Sequence, residues 1–127
     1  MRNMQIVDAN VILRYILGDH EELSEQARQI IEENNVMVPI EVLFEVVYVL
    51  TSVYKVARLE ISSELQGFFK STLCQLPHRD SVLKGLDIYA KKNIDFVDCV
   101  LAGYSEVENA IVHTFDNQLQ RLLRTHQ

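Results

Sequence analysis

Four carboxylates stand in surroundings that suit a carboxylate poorly. Asp8 ends the apolar run 4–7, and Glu45 interrupts the apolar run 42–49. Asp98 sits inside Phe96-Val97-Asp98-Cys99-Val100-Leu101-Ala102, and Asp116 ends Ala110-Ile111-Val112-His113-Thr114-Phe115. A carboxylate among apolar groups is costly unless it is paired or bound to a metal. If the four converge in space, a divalent cation is the reason, and phosphodiester cleavage is the chemistry such a site supports.

Short elements must carry these acids to one place. Residues 4–8 read as a buried strand ending at Asp8. Residues 11–17 read as a short helix that Gly18 ends, and 24–33 as an amphipathic helix with Ala27, Ile30 and Ile31 at helical spacing. Residues 36–39 form the second strand, and Pro39 starts the next helix well. Residues 40–56 are apolar almost all round, as a central buried helix is. An amphipathic helix over 61–71 and a third short strand over 73–77 follow. Helices over 81–91 and 95–108, a strand over 110–115 and a last helix over 117–124 complete the chain. Strands alternating with helices predict an α/β fold: a three-layer α/β/α sandwich with a short central parallel sheet covered on both faces. Ligands bind such sheets at the carboxyl ends of the strands, where Asp8 and Asp116 fall.

At 127 residues, 48% of them hydrophobic, the chain is expected to fold as one domain over 1–127 with a full core. No apolar run reaches the ~18–20 residues that span a bilayer. The start, Met1-Arg2-Asn3-Met4, does not read as a signal peptide. Cys74 and Cys99 have no metal-binding spacing and read as small buried hydrophobes in a reducing cytoplasm. The net charge of −6 is uneven: residues 1–45 hold nine acids and three bases, whereas residues 46–127 hold nine of each. There is no polybasic coat for nucleic acid, but a metal supplies its own positive charge. The acidic first third also suits a basic protein partner.

The stretches Val7-Asp8-Ala9-Asn10-Val11-Ile12, Glu45-Val46-Val47-Tyr48-Val49-Leu50, Asp95-Phe96-Val97-Asp98-Cys99-Val100-Leu101-Ala102 and Thr114-Phe115-Asp116 stand in this order along the chain. Together they resemble a PIN domain, most closely the VapC-type toxin ribonucleases. The resemblance places the family's four acids on Asp8, Glu45, Asp98 and Asp116. It implies a Mg2+- or Mn2+-dependent nuclease acting on RNA, a VapB-like antitoxin partner and a homodimer. Such toxins often finish with a short edge strand, which Arg124-Thr125-His126-Gln127 does not supply.

Within that reading Asp8 and Asp98 are the first candidates for direct metal contact. Glu45 and Asp116 act through waters, orient the nucleophile or hold a second ion. Asp95 lies three residues before Asp98 and shares its helix face, but it is equally a candidate N-cap. Asn10 and Thr114 are candidates to hydrogen-bond Asp8 and Asp116; a helix cap and an ordinary strand-end hydroxyl are the plainer readings. Asp8 and Asp116 each precede a helix and are candidate caps, and Asp98 is a candidate first-turn acid favoured by the helix dipole. Glu45 is hardest to explain as structure, although Glu41 lies one turn before it on the same face. His113 reads as a core or sheet-face residue, Phe44, Tyr48 and Tyr54 as core, and Tyr15 as a candidate for the site mouth. Arg14, Lys91, Lys92, Arg121 and Arg124 are candidates for phosphate contact against a default of solvated surface.

Other phosphoryl-transfer classes fit less well. A dehalogenase-like phosphatase wants Asp-x-Asp after its first strand, and Asn10 stands at the second place. The acidic pair, mid-chain phosphoacceptor and late lysine of a receiver domain are missing, as is any glycine-rich phosphate loop. A PIN-domain RNA-processing nuclease outside toxin–antitoxin systems, and a catalytically silent PIN-like RNA- or protein-binding module, stand as alternatives.

Overall fold

Strand β1 (Gln5–Ile6) pairs in parallel with β2 (Val36–Met37), with Gln5 opposite Val36 and Ile6 opposite Met37. The computed structural model describes residues 3–125. Met1, Arg2, His126 and Gln127, which hold parts of the expected leader-free start and strandless end, lie outside them. The third strand expected over 73–77 is reduced to one parallel bridge, Met37 to Gln75. There Val38 N–H donates to Gln75 O at 2.8 Å and Gln75 N–H to Val36 O at 2.8 Å.

The fold is α/β with a parallel sheet, as the pattern predicts, but the sheet is smaller and less covered. Val7, Val38, Cys74 and Leu76 point into the core. The alternate row of Ile6, Met37 and Gln75 does not, and Ile6 is 53% exposed. The first strand is therefore not buried, and in this row one sheet face is open. Residues 110–115 explain part of this. They keep the burial alternation of a strand, with Ala110, Val112 and Thr114 partly covered and Ile111, His113 and Phe115 exposed. Among the described residues, however, they form no ladder, so the free edge of β1 has no partner. Period-2 patterning places side chains on two faces; it does not supply the neighbour that accepts the hydrogen bonds.

Among the described residues, seven helices hold most of the core: α1 (Ala9–Leu17), α2 (Glu21–Glu33), α3 (Ile40–Ser52), α4 (Arg58–Ser71), α5 (Arg79–Lys91), α6 (Phe96–Glu108) and α7 (Asn117–Thr125). α1 ends at Gly18, whose φ of 59° places it in the left-handed region that favours glycine. α2 starts earlier than its apolar pattern because the His20 ring Nδ1 accepts from Leu23 N–H at 3.1 Å. α3 stops at Ser52, short of the expected 56. Its buried side chains Leu43, Val46, Val47 and Leu50 form the centre of the core. Cys74 and Cys99 are free and buried, as their isolation predicts.

α5 and α6 form an antiparallel pair in close contact. A Cβ on Gly103 would lie 2.1 Å from Ser81 O, and one on Gly85 2.9 Å from Val100 Cα. Both glycines thus allow the helices to approach backbone to backbone. At the end of the pair, Glu108 accepts from the Ser81 hydroxyl and lies 3.0 Å from His78 Nδ1. The Ser81 hydrogen bond, followed by His78, holds the Glu108 carboxyl below its ordinary value. A depressed carboxylate stabilises the fold above its unfolded pKa, and that contribution is lost as pH falls through the folded value. Glu108→Gln is therefore expected to flatten the acid limb of thermal stability below about pH 4.3. The effect is at most a few degrees in Tm, since the pair is exposed. Melts of both proteins from neutral to acid pH check this; parallel acid limbs would refute it.

Candidate active site

Asp8 follows β1 and caps α1, with Oδ1 accepting from Val11 N–H at 3.1 Å. Among the described residues, the cap leaves its second carboxylate oxygen without a protein hydrogen bond. Asn10 lies inside the first turn, so the capping role falls to Asp8 and not to Asn10. Asp8, Asn10, Arg14, Glu45 and Tyr54 line one cleft of about 200 Å³. Glu45 is exposed on α3 and reaches this cleft, whereas Glu41 does not line it. Arg14 at the cleft donates to Tyr54 Oη at 2.8 Å and to Asp19 Oδ1 at 2.7 Å. Its charge is thus already shared with Asp19. Tyr15 turns away from the cleft, edge-on to Phe68 at 5.4 Å with its hydroxyl on Glu32.

A second acidic group forms around the start of α6. Asp98 is half-buried, and burial is the largest influence pushing its carboxyl above the ordinary value. The charges of Asp116 and Asp95 add to the shift, which places these three acids within electrostatic reach of one another. Asp95 occupies the N-cap position of α6 but makes no side-chain capping bond, so the cap reading fails for its carboxylate. Asp116 does cap: its Oδ1 accepts from Leu119 N–H at 2.8 Å. The Thr114 hydroxyl accepts from Asp116 N–H at 3.0 Å, so Thr114 holds the turn and not the carboxylate.

Arg58 is the positioning residue that sequence reading missed. It donates to Tyr89 O at 2.8 Å and to Ile94 O, and its guanidinium lies 3.7 Å from the Tyr89 ring centre. The Tyr89 hydroxyl is in turn 2.9 Å from Thr51 Oγ1. This clamp fixes the turn that leads into Asp95 and Asp98. An arginine bound to backbone carbonyls has no local sequence signature. Behind it, burial pushes the Cys99 thiol up to about 11, which makes it unreactive.

The donor set suits a hard divalent cation, because every candidate ligand is a carboxylate oxygen. Among the described residues, none of Asp8, Glu45, Asp95, Asp98 and Asp116 is ion-paired to a lysine or arginine. The half-buried Asp98 therefore lacks the positive partner that its surroundings call for. The chain alone does not close the set: among the described residues, no three His, Cys, Asp or Glu side chains are grouped tightly enough to hold a metal ion. Two acidic groups are visible, one on the cleft and one at the start of α6. Lys91, Lys92, Arg121 and Arg124 are exposed.

The α/β order, with acids after β1, on α3, at the start of α6 and before α7, defines a class. The chain belongs to the PIN domain family, whose model matches residues 6–124. It is similar to a VapC ribonuclease of Aquifex aeolicus (strain VF5), 28% identical over 102 residues, which cover 76% of this chain and 75% of that protein. No solved structure matches the chain. The resemblance drawn from four short motifs thus extends over nearly the whole sequence.

Proposed function

We propose that this chain is an endoribonuclease that hydrolyses RNA phosphodiester bonds with Mg2+ or Mn2+, as a three-layer PIN domain spanning 1–127. The observation that carries this reading is the half-buried Asp98 beside Asp95 and Asp116, with no cationic partner among the described residues, in a chain of this family. Asp8 and Asp98 would hold the ion, with Glu45 and Asp116 reaching it through water. A bound divalent cation supplies Lewis-acid polarisation of the phosphate and a more acidic water. The protein's own part would be to bring carboxylates from four elements to the phosphate that is cleaved. The name of the similar Aquifex protein supports RNA as substrate. We further read the chain as the toxin of a VapB-like antitoxin and as a homodimer; the acidic first third suits a basic antitoxin segment.

The test is incubation with structured RNAs in Mg2+, in Mn2+ and in EDTA. Cleavage is expected with either metal and none in EDTA. Equal cleavage in EDTA would overturn the metal mechanism. RNA binding with no cleavage under any condition would favour the silent binding module, the second reading, since no three-ligand group is closed among the described residues.

A further inference from the structure

A second groove, of about 340 Å³, runs from the later turns of α3 to the start of α6. Its lining includes Tyr48, Thr51, Ser52, Arg58, Asp95 and Val97. Tyr48 is 68% exposed, although its neighbours Val46, Val47 and Leu50 are buried. Phe44, one turn earlier, instead packs edge-on to Phe96 at 5.5 Å. The expectation that Tyr48 is core is therefore wrong. Its flat ring lies open to water on the helix that carries Glu45, three residues away and on the same face. At the other end, Asp95 lines the groove and its charge acts on Asp98. The groove thus opens at Asp95, in the acidic group of α6, and its Tyr48 wall stands on the same helix face as Glu45.

Its polar groups suit a base better than a phosphate. Arg58 is committed to two backbone carbonyls and to the Tyr89 ring, so it is not a free anion receptor. The Asp95 carboxylate repels phosphate but accepts hydrogen bonds, and its side chain caps nothing. Single-stranded RNA is recognised by stacking unpaired bases on aromatic rings and hydrogen-bonding their edges. Among the four bases, guanine presents two adjacent N–H donors on its Watson–Crick edge, the complement of a carboxylate.

Resting on the ribonuclease reading, we propose that this groove seats one base of the RNA strand beside the cleaved phosphate. Tyr48 stacks on the base, and the Asp95 carboxylate accepts from its edge and favours guanine. Tyr48 and Asp95 are thus specificity-determining residues.

The chain contains no tryptophan, so Tyr48→Trp introduces a single reporter. In an Asp98→Asn background, it is titrated with uridine oligonucleotides carrying one guanosine, adenosine or cytidine. Quenching is expected with all of them, with about tenfold tighter binding for guanosine. Asp95→Asn is expected to remove that preference. In the otherwise unchanged enzyme, Tyr48→Ala is expected to raise KM about tenfold and to change kcat far less. If the wild type cleaves RNA but Tyr48→Ala leaves KM unchanged and the reporter is not quenched, the base seat is wrong while the ribonuclease reading stands. If sedimentation shows that Tyr48→Ala splits a dimer into monomers, the face is a contact between copies and the base seat is overturned. If the wild type does not cleave RNA and the Tyr48→Trp reporter is not quenched, both readings fall.

Discussion

Asp98→Asn is expected to lower metal-dependent RNA cleavage by roughly a thousandfold while making the metal-free protein more stable. The two effects have one cause. Asp98 is half-buried, and its charged form is opposed first by burial and then by Asp116 and Asp95. Asparagine has nearly the same shape and carries no charge. It relieves both penalties, so Tm in EDTA is expected to rise by a few degrees. Adding Mg2+ then reverses the order. The wild type gains stability because the ion binds the folded state, whereas the variant gains little. Thermal melts of both proteins with EDTA and with Mg2+, alongside cleavage rates, read all of this. Identical melts in EDTA would show that Asp98 bears no uncompensated charge, and full activity in the variant would remove it from the site.

Gly103→Ala is expected to be the most damaging conservative change in the fold, costing about 3 kcal/mol or more. The added methyl would sit 2.1 Å from Ser81 O and 3.1 Å from Gly85 N. Both are backbone atoms, so no rotamer change relieves the clash, and α5 and α6 must separate. Alanine's helix propensity returns only about 1 kcal/mol. The separation would also move the start of α6, which carries Asp95 and Asp98, and so activity is expected to fall with stability. Gly67 in α4 provides the contrast, because a Cβ there meets nothing within 4 Å. Gly67→Ala is expected to stabilise by up to about 1 kcal/mol through the same propensity. Chemical denaturation of the two variants reads the difference. A Gly103→Ala protein as stable as the wild type would mean that the helices are not in backbone contact.

Part of the candidate site was legible because its signals are local. An acid that closes an apolar strand or opens a helix can be read from its neighbours, and Asp8 and Asp116 are indeed helix caps. Those bonds leave their candidacy as metal contacts open, since each uses one carboxylate oxygen. Glu45 was legible as an acid in the middle of an apolar helix, and its place on the cleft separates it from Glu41. Asp95 was legible only as an even choice between cap and site, because a good N-cap residue at an N-cap position reads as a cap whether or not the side chain bonds. Arg58 was invisible, as its partners are backbone atoms about thirty residues away. Tyr48 was misread, because a tyrosine in an apolar helical run carries no mark of which way it faces.

By itself the sequence determined the α/β order, most helices, the family and the four acids with their elements. These rest on short-range periodicity and on residue types whose chemistry travels with them. Only the tertiary structure decided which edges pair, how closely helices approach and which acids share a space. The stretch 110–115 alternates like a strand yet has no ladder, because a strand needs a neighbour as well as a pattern. Asp98 has its raised carboxyl because the fold buries it and brings Asp116 near, a proximity that seventeen intervening positions in the chain do not encode.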